Sequence, residues 1–326
     1  MSTGRRVVAF FRKASYSPNQ HRTNDTAILE ETLARFIARG WSATRLDEST
    51  LDGEVADRKA QIPGLAPDDE GVLADLYLNM CQGETAANAL RPLETAGACI
   101  LNRPSSVLAC HRHRLVPSMI AAGIPFPATE IVNIATVSPD EAGASPLVQS
   151  AASAREAVWI KRGDVHAERN EDVVMVPAHE VARAIEVFSA RGITRISLQR
   201  HVTGPVIKFY AVADCSFFRY YEAGAGPSRS KLEVNEGRLR EVAFTAAEAV
   251  GLSIFGGDIV LPSPNDPVLI DLNDWPSFAS FRSEAADGIA AFALKRVEAR
   301  SRRATALLGQ TATDRSTSSP FPPDPV

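Results

Sequence analysis

Two aspartates and an asparagine in the last third of the chain offer the most legible chemistry. Within FGGDIVLPSPNDPVLIDLNDWPSF, from Phe255 to Phe278, Asp258 precedes a proline-bounded loop, and Asp271 and Asn273 follow it. Pairing Leu261 with Val268 around Pro262 to Pro267 makes an antiparallel hairpin whose register sets Asp258 directly opposite Asp271. Ile259 then faces Ile270 on one side of the ribbon, while Asp271 and Asn273 share the other side with Asp258. Cross-strand β-carbons lie roughly 4.5–5.5 Å apart, so two carboxylates and an amide oxygen can converge on a hard divalent cation. Magnesium is the expected ion, with manganese as the alternative. A D-x-N alone would read as turn chemistry, because both residues favour turns; the opposing Asp258 makes it a metal site. Magnesium in such a setting ordinarily bridges nucleotide phosphates, so the rest of the chain should supply phosphate-binding cations and an adenine slot.

Candidates for both are present. Lys161 ends the apolar run AVWI, beside the loop RGDVHAERN, where an ammonium could meet a phosphate. Arg112 precedes a helical pattern closed by GIPFP, and Gln199 to Val202 ends one strand before Lys208 opens the working part of another. His111, His113 and His166 have no metal-ligand spacing of their own. Trp275 and Phe278 are expected to pack under the metal loop. Arg12, Lys13, Arg229 and Lys231 read as solvated loop charges rather than as ligands of an anionic acceptor. No Ser-His-Asp or Cys-His constellation is visible.

These residues need elements to hold them. Arg6 to Phe11 reads as a first strand, followed by a long polar loop and a helix from about Thr26 to Arg39. Strands follow at Trp41 to Leu46, Val72 to Asn79 and Ala98 to Leu101, with a helix from Thr85 to Thr95, so residues 1–105 form a small parallel α/β lobe. Its ligand-facing edge is expected at the loops Lys13 to Asn19 and Asn79 to Gly83. Residues 106–300 change to an α+β pattern with antiparallel pairing, divided into a central part over about 125–200 and a C-terminal part over about 201–300. Its strands are read at Ala157 to Arg162, Asp172 to Val176, Arg195 to His201, Val206 to Asp214 and Ser216 to Glu222, and its helices at Glu180 to Arg191, Arg238 to Val250 and Ser283 to Arg300. The Ser/Thr/Pro-rich end, 301–326, reads as a disordered tail.

Composition fits a soluble globular chain: 326 residues, 45% hydrophobic, 23% charged, formal charge −4. That charge argues against a general nucleic-acid or membrane-surface binder. No apolar window approaches the roughly 18 residues of a membrane span. Cys81, Cys99, Cys110 and Cys215 lack zinc spacing and are too few for a disulfide framework, so free thiols and a cytoplasmic location are expected.

Taken in order, the segments from about Asn102 to Phe281 resemble the ATP-grasp superfamily, with features of its RimK-like ligases and its inositol trisphosphate kinase branch. The resemblance implies an ATP-grasp fold of two subdomains clamping ATP behind an N-terminal α/β lobe. Arg112 occupies the place where many members carry a phosphate-binding lysine, and Lys161 matches the second such lysine. Gln199, Arg200, His201 and Val202 match the adenine-holding hinge, Lys208 the cation at the terminal phosphate or acceptor, and Asp258, Asp271 and Asn273 the metal ligands. The loop after Lys161 has only Gly163 where many ligases have several glycines. The Lys161 to His166 spacing, Arg112 itself and the DLN motif look more like the kinase branch, with His166 at the nucleotide.

The leading functional expectation is a ligase that joins a carboxylate to an amine or thiol through an acyl phosphate, with ATP and magnesium and a small-molecule or peptide acceptor. The alternative is a small-molecule kinase acting on a hydroxyl, and a third reading is a nucleotide-binding regulator without chemistry. Oligomeric state is left open.

Overall fold

The computed structural model describes residues 4–17, 22–52, 73–164, 169–225 and 232–317. Its first sheet is parallel, in the order β2-β1-β3-β4, from β1 (Arg6–Phe11), β2 (Ser42–Asp47), β3 (Leu76–Asn79) and β4 (Ile100–Leu101). Alternation along β1 feeds two layers. Val7, Ala9 and Phe11 pack with Ile28, Leu29, Leu33 and Phe36 of α1 (Arg22–Ile37). Val8 and Phe10 pack with Ala86, Leu90 and Leu93 of α2 (Glu84–Thr95).

Two short helices, α3 (Pro104–Ala109) and α4 (Arg112–Ala121), lead out of this lobe. Arg112, expected just before the helical pattern, is the first residue of α4, and Pro117 lies inside that helix. The middle sheet is antiparallel, in the order β5-β8-β6-β7, from β5 (Thr129–Asn133), β6 (Ala157–Arg162), β7 (Val173–Pro177) and β8 (Arg195–Arg200). Val158, Ile160, Ile196 and Leu198 face α5 (Pro139–Gly143), α6 (Pro146–Ala154) and α7 (Val181–Ala190) in one core. Sequence reading missed α5 and α6, which begin at Ser138-Pro139 and Ser145-Pro146; each serine side chain accepts a backbone amide three residues on.

The third sheet, also antiparallel, runs β10-β9-β11-β12, from β9 (Val206–Val212), β10 (Phe218–Glu222), β11 (Ile254–Val260) and β12 (Val268–Asp274). Phe209, Phe255 and Leu272 pack on Leu239, Val242 and Ala246 of α8 (Glu236–Val250) and on Leu115 and Met119 of α4. The last helix, α9 (Arg282–Thr317), was grouped with this sheet by chain position. Ala285, Ile289 and Ala293 share one core with Leu29 and Leu33 of α1 and with Tyr210, Val212 and Ile254 of this sheet, so the helix packs against both. It also runs through 301–317, which had been read as disordered. SRRATALLGQ is rich in strong helix formers and has no proline to stop it. Residues 318–326 lie outside the described residues.

Candidate functional site

The hairpin of β11 and β12 sets Asp258 opposite Asp271 and Gly256 opposite Asn273. Beyond Asp258 the register shifts, pairing Ile259 with Leu269 and Val260 with Val268. The Leu261–Val268 and Ile259–Ile270 pairings expected from sequence are therefore replaced by a bulge at Ile270, where one extra residue interrupts the ladder. The bulge has a use: the Ile270 carbonyl accepts a hydrogen bond from Lys161 Nζ at 3.0 Å. β11 lies between β9 and β12, so Lys208, Asp258 and Asp271 form a row across three strands. Lys208 Nζ donates to Asp258 Oδ1 at 2.8 Å.

Arg112, the first residue of α4, is 4% exposed. Its Nη1 donates to the Arg162 carbonyl at 2.9 Å, and its Nη2 donates to Asp271 Oδ2 at 2.7 Å. It thereby ties the middle sheet to the hairpin. Asn102 fixes the start of β11: its Oδ1 accepts from the amides of Ser253 and Ile254, and its Nδ2 donates to the Ile254 carbonyl.

A cleft of about 510 Å³ between the two antiparallel sheets brings together Arg112, Lys161, Gln199, Arg200, His201, Val202, Lys208, Asp258, Asp271 and Asn273. His166 lies outside the described residues, as do Arg229 and Lys231. At the hinge, Gln199 Nε2 donates to Thr129 Oγ1 at 3.1 Å, Arg200 Nε donates to Glu156 at 3.0 Å, and Trp159 Nε1 donates to His201 Nδ1 at 3.1 Å. His111 and His113 serve structure, donating to the Gln82 and Gly163 carbonyls at 2.9 Å. Trp275 and Phe278 are fully buried in the core beneath the hairpin.

Burial pulls the Lys161 ammonium down to about 8, against the attraction of Asp271; Arg112 adds to the depression and Asp258 opposes it. Burial also acts on Lys208, but there the Asp258 carboxylate outweighs it and raises the pKa. Asp258, Asp271 and Asn273 offer only hard oxygen donors from one face of the ribbon, a set that fits magnesium or manganese.

The loops Lys13 to Asn19 and Asn79 to Gly83, expected at the ligand-facing edge, reach the cleft through Tyr16 and Gln82. Arg12, taken as a solvated charge, is 6% exposed and lines the cleft with Tyr16, Asp25 and Gln82. The signal was its place immediately after β1, at the carboxyl end of a parallel strand, where such lobes present ligands. Lys13, by contrast, pairs with Asp52 at 3.1 Å at the surface. Tyr210, Trp159, Asp274 and Ser277 also line the cleft without having been anticipated there.

No protein-family model and no curated protein sequence matches the chain. Solved structures do. The RimK domain ATP-grasp protein of Sphaerobacter thermophilus has a TM-score of 0.59 at 18% identity, covering 88% of this chain and 99% of its own. D-alanine–D-alanine ligase from Bacillus anthracis has a TM-score of 0.65 at 12% identity, covering 93% of this chain and 100% of its own. The ATP-grasp ligase PsnB, solved with a precursor peptide and AMPPNP, has a TM-score of 0.58 at 16% identity, covering 90% and 99%. At these identities the likeness speaks for the fold, and the fold of this chain is the ATP-grasp fold: an α/β lobe followed by two antiparallel α+β units facing one cleft.

Proposed function

We propose that the chain is an ATP-dependent, ADP-forming ligase that joins a carboxylate to an amine or thiol. The observation that carries this reading is the convergence of Arg112, Lys161 and Lys208 on Asp258, Asp271 and Asn273 in one cleft between two antiparallel sheets. The similar proteins solved with ATP, or with AMPPNP and a peptide, support a nucleotide in that cleft and an amino-acid or peptide acceptor.

On this reading the segment Gln199 to Val202 and the Trp159 ring hold the adenine. Arg112, Lys161 and Lys208 hold the phosphate oxygens and stabilise the charge that builds up during transfer. Asp258, Asp271 and Asn273 would hold magnesium, which supplies further neutralisation of phosphate charge. A substrate carboxylate oxygen attacks the terminal phosphorus and ADP leaves with the bridging oxygen's electron pair. The amine or thiol then adds to the acyl carbon and phosphate departs. No enzyme nucleophile is needed, because positioning and charge stabilisation do the catalysis.

Charge balance in the cleft favours this over a small-molecule kinase with an inositol polyphosphate-like acceptor. Among the described residues, the five cations Arg12, Arg112, Lys161, Arg200 and Lys208 line it with the four carboxylates Asp25, Asp258, Asp271 and Asp274. A heavily phosphorylated acceptor would need a clear cationic excess. No helix among the described residues is long and apolar enough to cross a membrane; the cytoplasm is proposed as the compartment on the sequence grounds given above.

Phosphorus NMR of the protein with Mg-ATP and fractionated metabolites tests the chemistry. Free phosphate released in step with ADP, dependent on the fraction, is the expected result. A new phosphoester accumulating without free phosphate would replace the ligase by a kinase.

A further inference from the structure

The N-terminal wall of the cleft contains two buried polar side chains, Arg12 and Gln82, whose hydrogen-bonding capacity is only partly used among the described residues. Arg12 is 6% exposed, and its Nε has no hydrogen-bond partner among the described residues. Its Nη2 reaches the Asp274 and Trp275 carbonyls only at 3.4 Å each. Gln82 is 4% exposed, and its Oε1 likewise lacks a donor among the described residues. A buried guanidinium without a hydrogen-bonded carboxylate is costly, and so is a buried amide oxygen without a donor, unless a ligand supplies what is missing.

The backbone around both residues is fixed by one carboxylate. Buried Glu48 accepts from the amide of Lys13 at 3.1 Å, of Gln82 at 2.9 Å and of Gly83 at 2.7 Å. The Gln82 carbonyl is held in turn by His111 Nε2 at 2.9 Å. Glu48 thus spends its oxygens on main-chain amides and makes no hydrogen bond to Arg12, although the two charges feel each other. Carrying a side chain at Gly83 would put a Cβ 2.7 Å from Tyr16 Oη, so this loop junction is closely packed as well. Two loops at the carboxyl edge of the parallel sheet are in this way locked so that Arg12 and Gln82 line the cleft beside the end of β12.

We infer that Arg12 and Gln82 form a subsite for an acceptor that carries a carboxylate next to an N–H group, as in a free amino acid or a peptide C-terminus. The carboxylate takes the charge-assisted bonds of Arg12, and Gln82 Oε1 accepts from the N–H. The hydrogen bonds from Arg12 Nη2 to the backbone that follows Asn273 set this subsite at the end of the hairpin, adjacent to the proposed metal ligands. The inference rests on the ligase reading for its nucleotide and adds to it the two residues of the N-terminal lobe that hold the acceptor's carboxylate and N–H.

Calorimetric titration of the full chain with Mg-AMPPNP, followed by free L- and D-amino acids and dipeptides, each beside its C-terminal amide, tests it. Carboxylates are expected to bind the AMPPNP complex and their amides to bind roughly ten- to hundred-fold more weakly, the worth of a charge-assisted bond. Arg12→Met should lose the carboxylate's advantage with AMPPNP affinity unchanged, and Arg12→Lys should restore part of it. Gln82→Leu provides an independent arm, weakening both members of each pair, and carries the test if Arg12→Met fails to fold. Amides binding as well as carboxylates, no carboxylate binding while AMPPNP binds, or Arg12→Met weakening AMPPNP itself, which would assign Arg12 to the phosphates, each overturns the subsite. Failure of the wild-type chain to bind AMPPNP would instead overturn the nucleotide reading beneath it.

Discussion

Lys161 gives the proposed nucleotide site a pH dependence that can be worked out beforehand. The side chain is 5% exposed, and burial brings its pKa from 10.5 to about 8, with Asp271 and Asp258 resisting and Arg112 assisting. A triphosphate beside the ammonium would restore the charged form, so nucleotide binding takes up protons wherever the free protein has lost them. At pH 8 the uptake is about half a proton and at pH 9 about nine-tenths, with affinity reduced about twofold and about elevenfold from its level at lower pH. Lys208, raised by Asp258, and Tyr210, pushed up by burial, both lie above this window. Calorimetry with Mg-AMPPNP from pH 7 to 9, in buffers of different ionisation enthalpy, measures both quantities. Lys161→Arg keeps its charge throughout and should bind with a flat profile. Level wild-type affinity with no proton uptake, or the wild-type slope retained in the arginine variant, would refute the contact between Lys161 and phosphate. The same shift has a sign for folding. The unfolded lysine holds its proton up to 10.5 and the folded one releases it near 8. Stability of the nucleotide-free protein from this group therefore rises between those values, by at most about 3 kcal/mol.

Two substitutions test the hairpin. Asp271→Asn removes a proposed metal ligand and the charge partner of Arg112, 2.7 Å away; turnover should fall at least about hundred-fold. Unchanged turnover would remove Asp271 from the site. Gly257→Ala would place a Cβ 2.3 Å from the Asp271 backbone oxygen. Separating the strands should cost about 1–3 kcal/mol and displace Asp271, seen as a lower urea midpoint together with weaker magnesium dependence; a neutral variant would show that the hairpin has slack.

The parallel lobe was legible because continuous apolar runs such as RVVAFF, expected of strands buried on both faces, alternate there with amphipathic helices. The Asp258–Asp271 opposition was legible for a related reason: a short hairpin loop bounded by prolines leaves few registers, and one of them sets the two aspartates opposite each other. The bulge at Ile270 was not, since an extra residue in a strand leaves the composition of both faces nearly unchanged and is decided by what its freed carbonyl can reach, here Lys161. Arg12 was misread because a charged residue after a strand is ordinarily solvated. Its burial depends on Trp275 and Asp274, more than 260 positions away, and no local pattern carries such a contact. The placement of α9 against α1 is of the same kind: an alanine-rich face packs equally well on many helices, and only the folded chain selects one.

The charge row across the third sheet explains why arginine stands at 112, where the family resemblance implied lysine. Two carboxylates directly opposite on adjacent strands repel by about 3 kcal/mol at roughly 5 Å in a partly screened environment. Lys208 answers Asp258 from within the sheet, one strand over. Asp271 is on the edge strand β12 and has no further strand beside it, so its countercharge must come from another element. Arg112 provides it from the start of α4, and a second nitrogen of the same guanidinium bonds the Arg162 carbonyl on the opposite wall of the cleft. A planar fork makes both bonds at once with its charge fixed at every relevant pH, whereas an ammonium is a point charge whose pKa burial would lower, as it does for Lys161. The cation proposed to meet the phosphates is therefore also the brace that sets the width of the cleft between the two sheets.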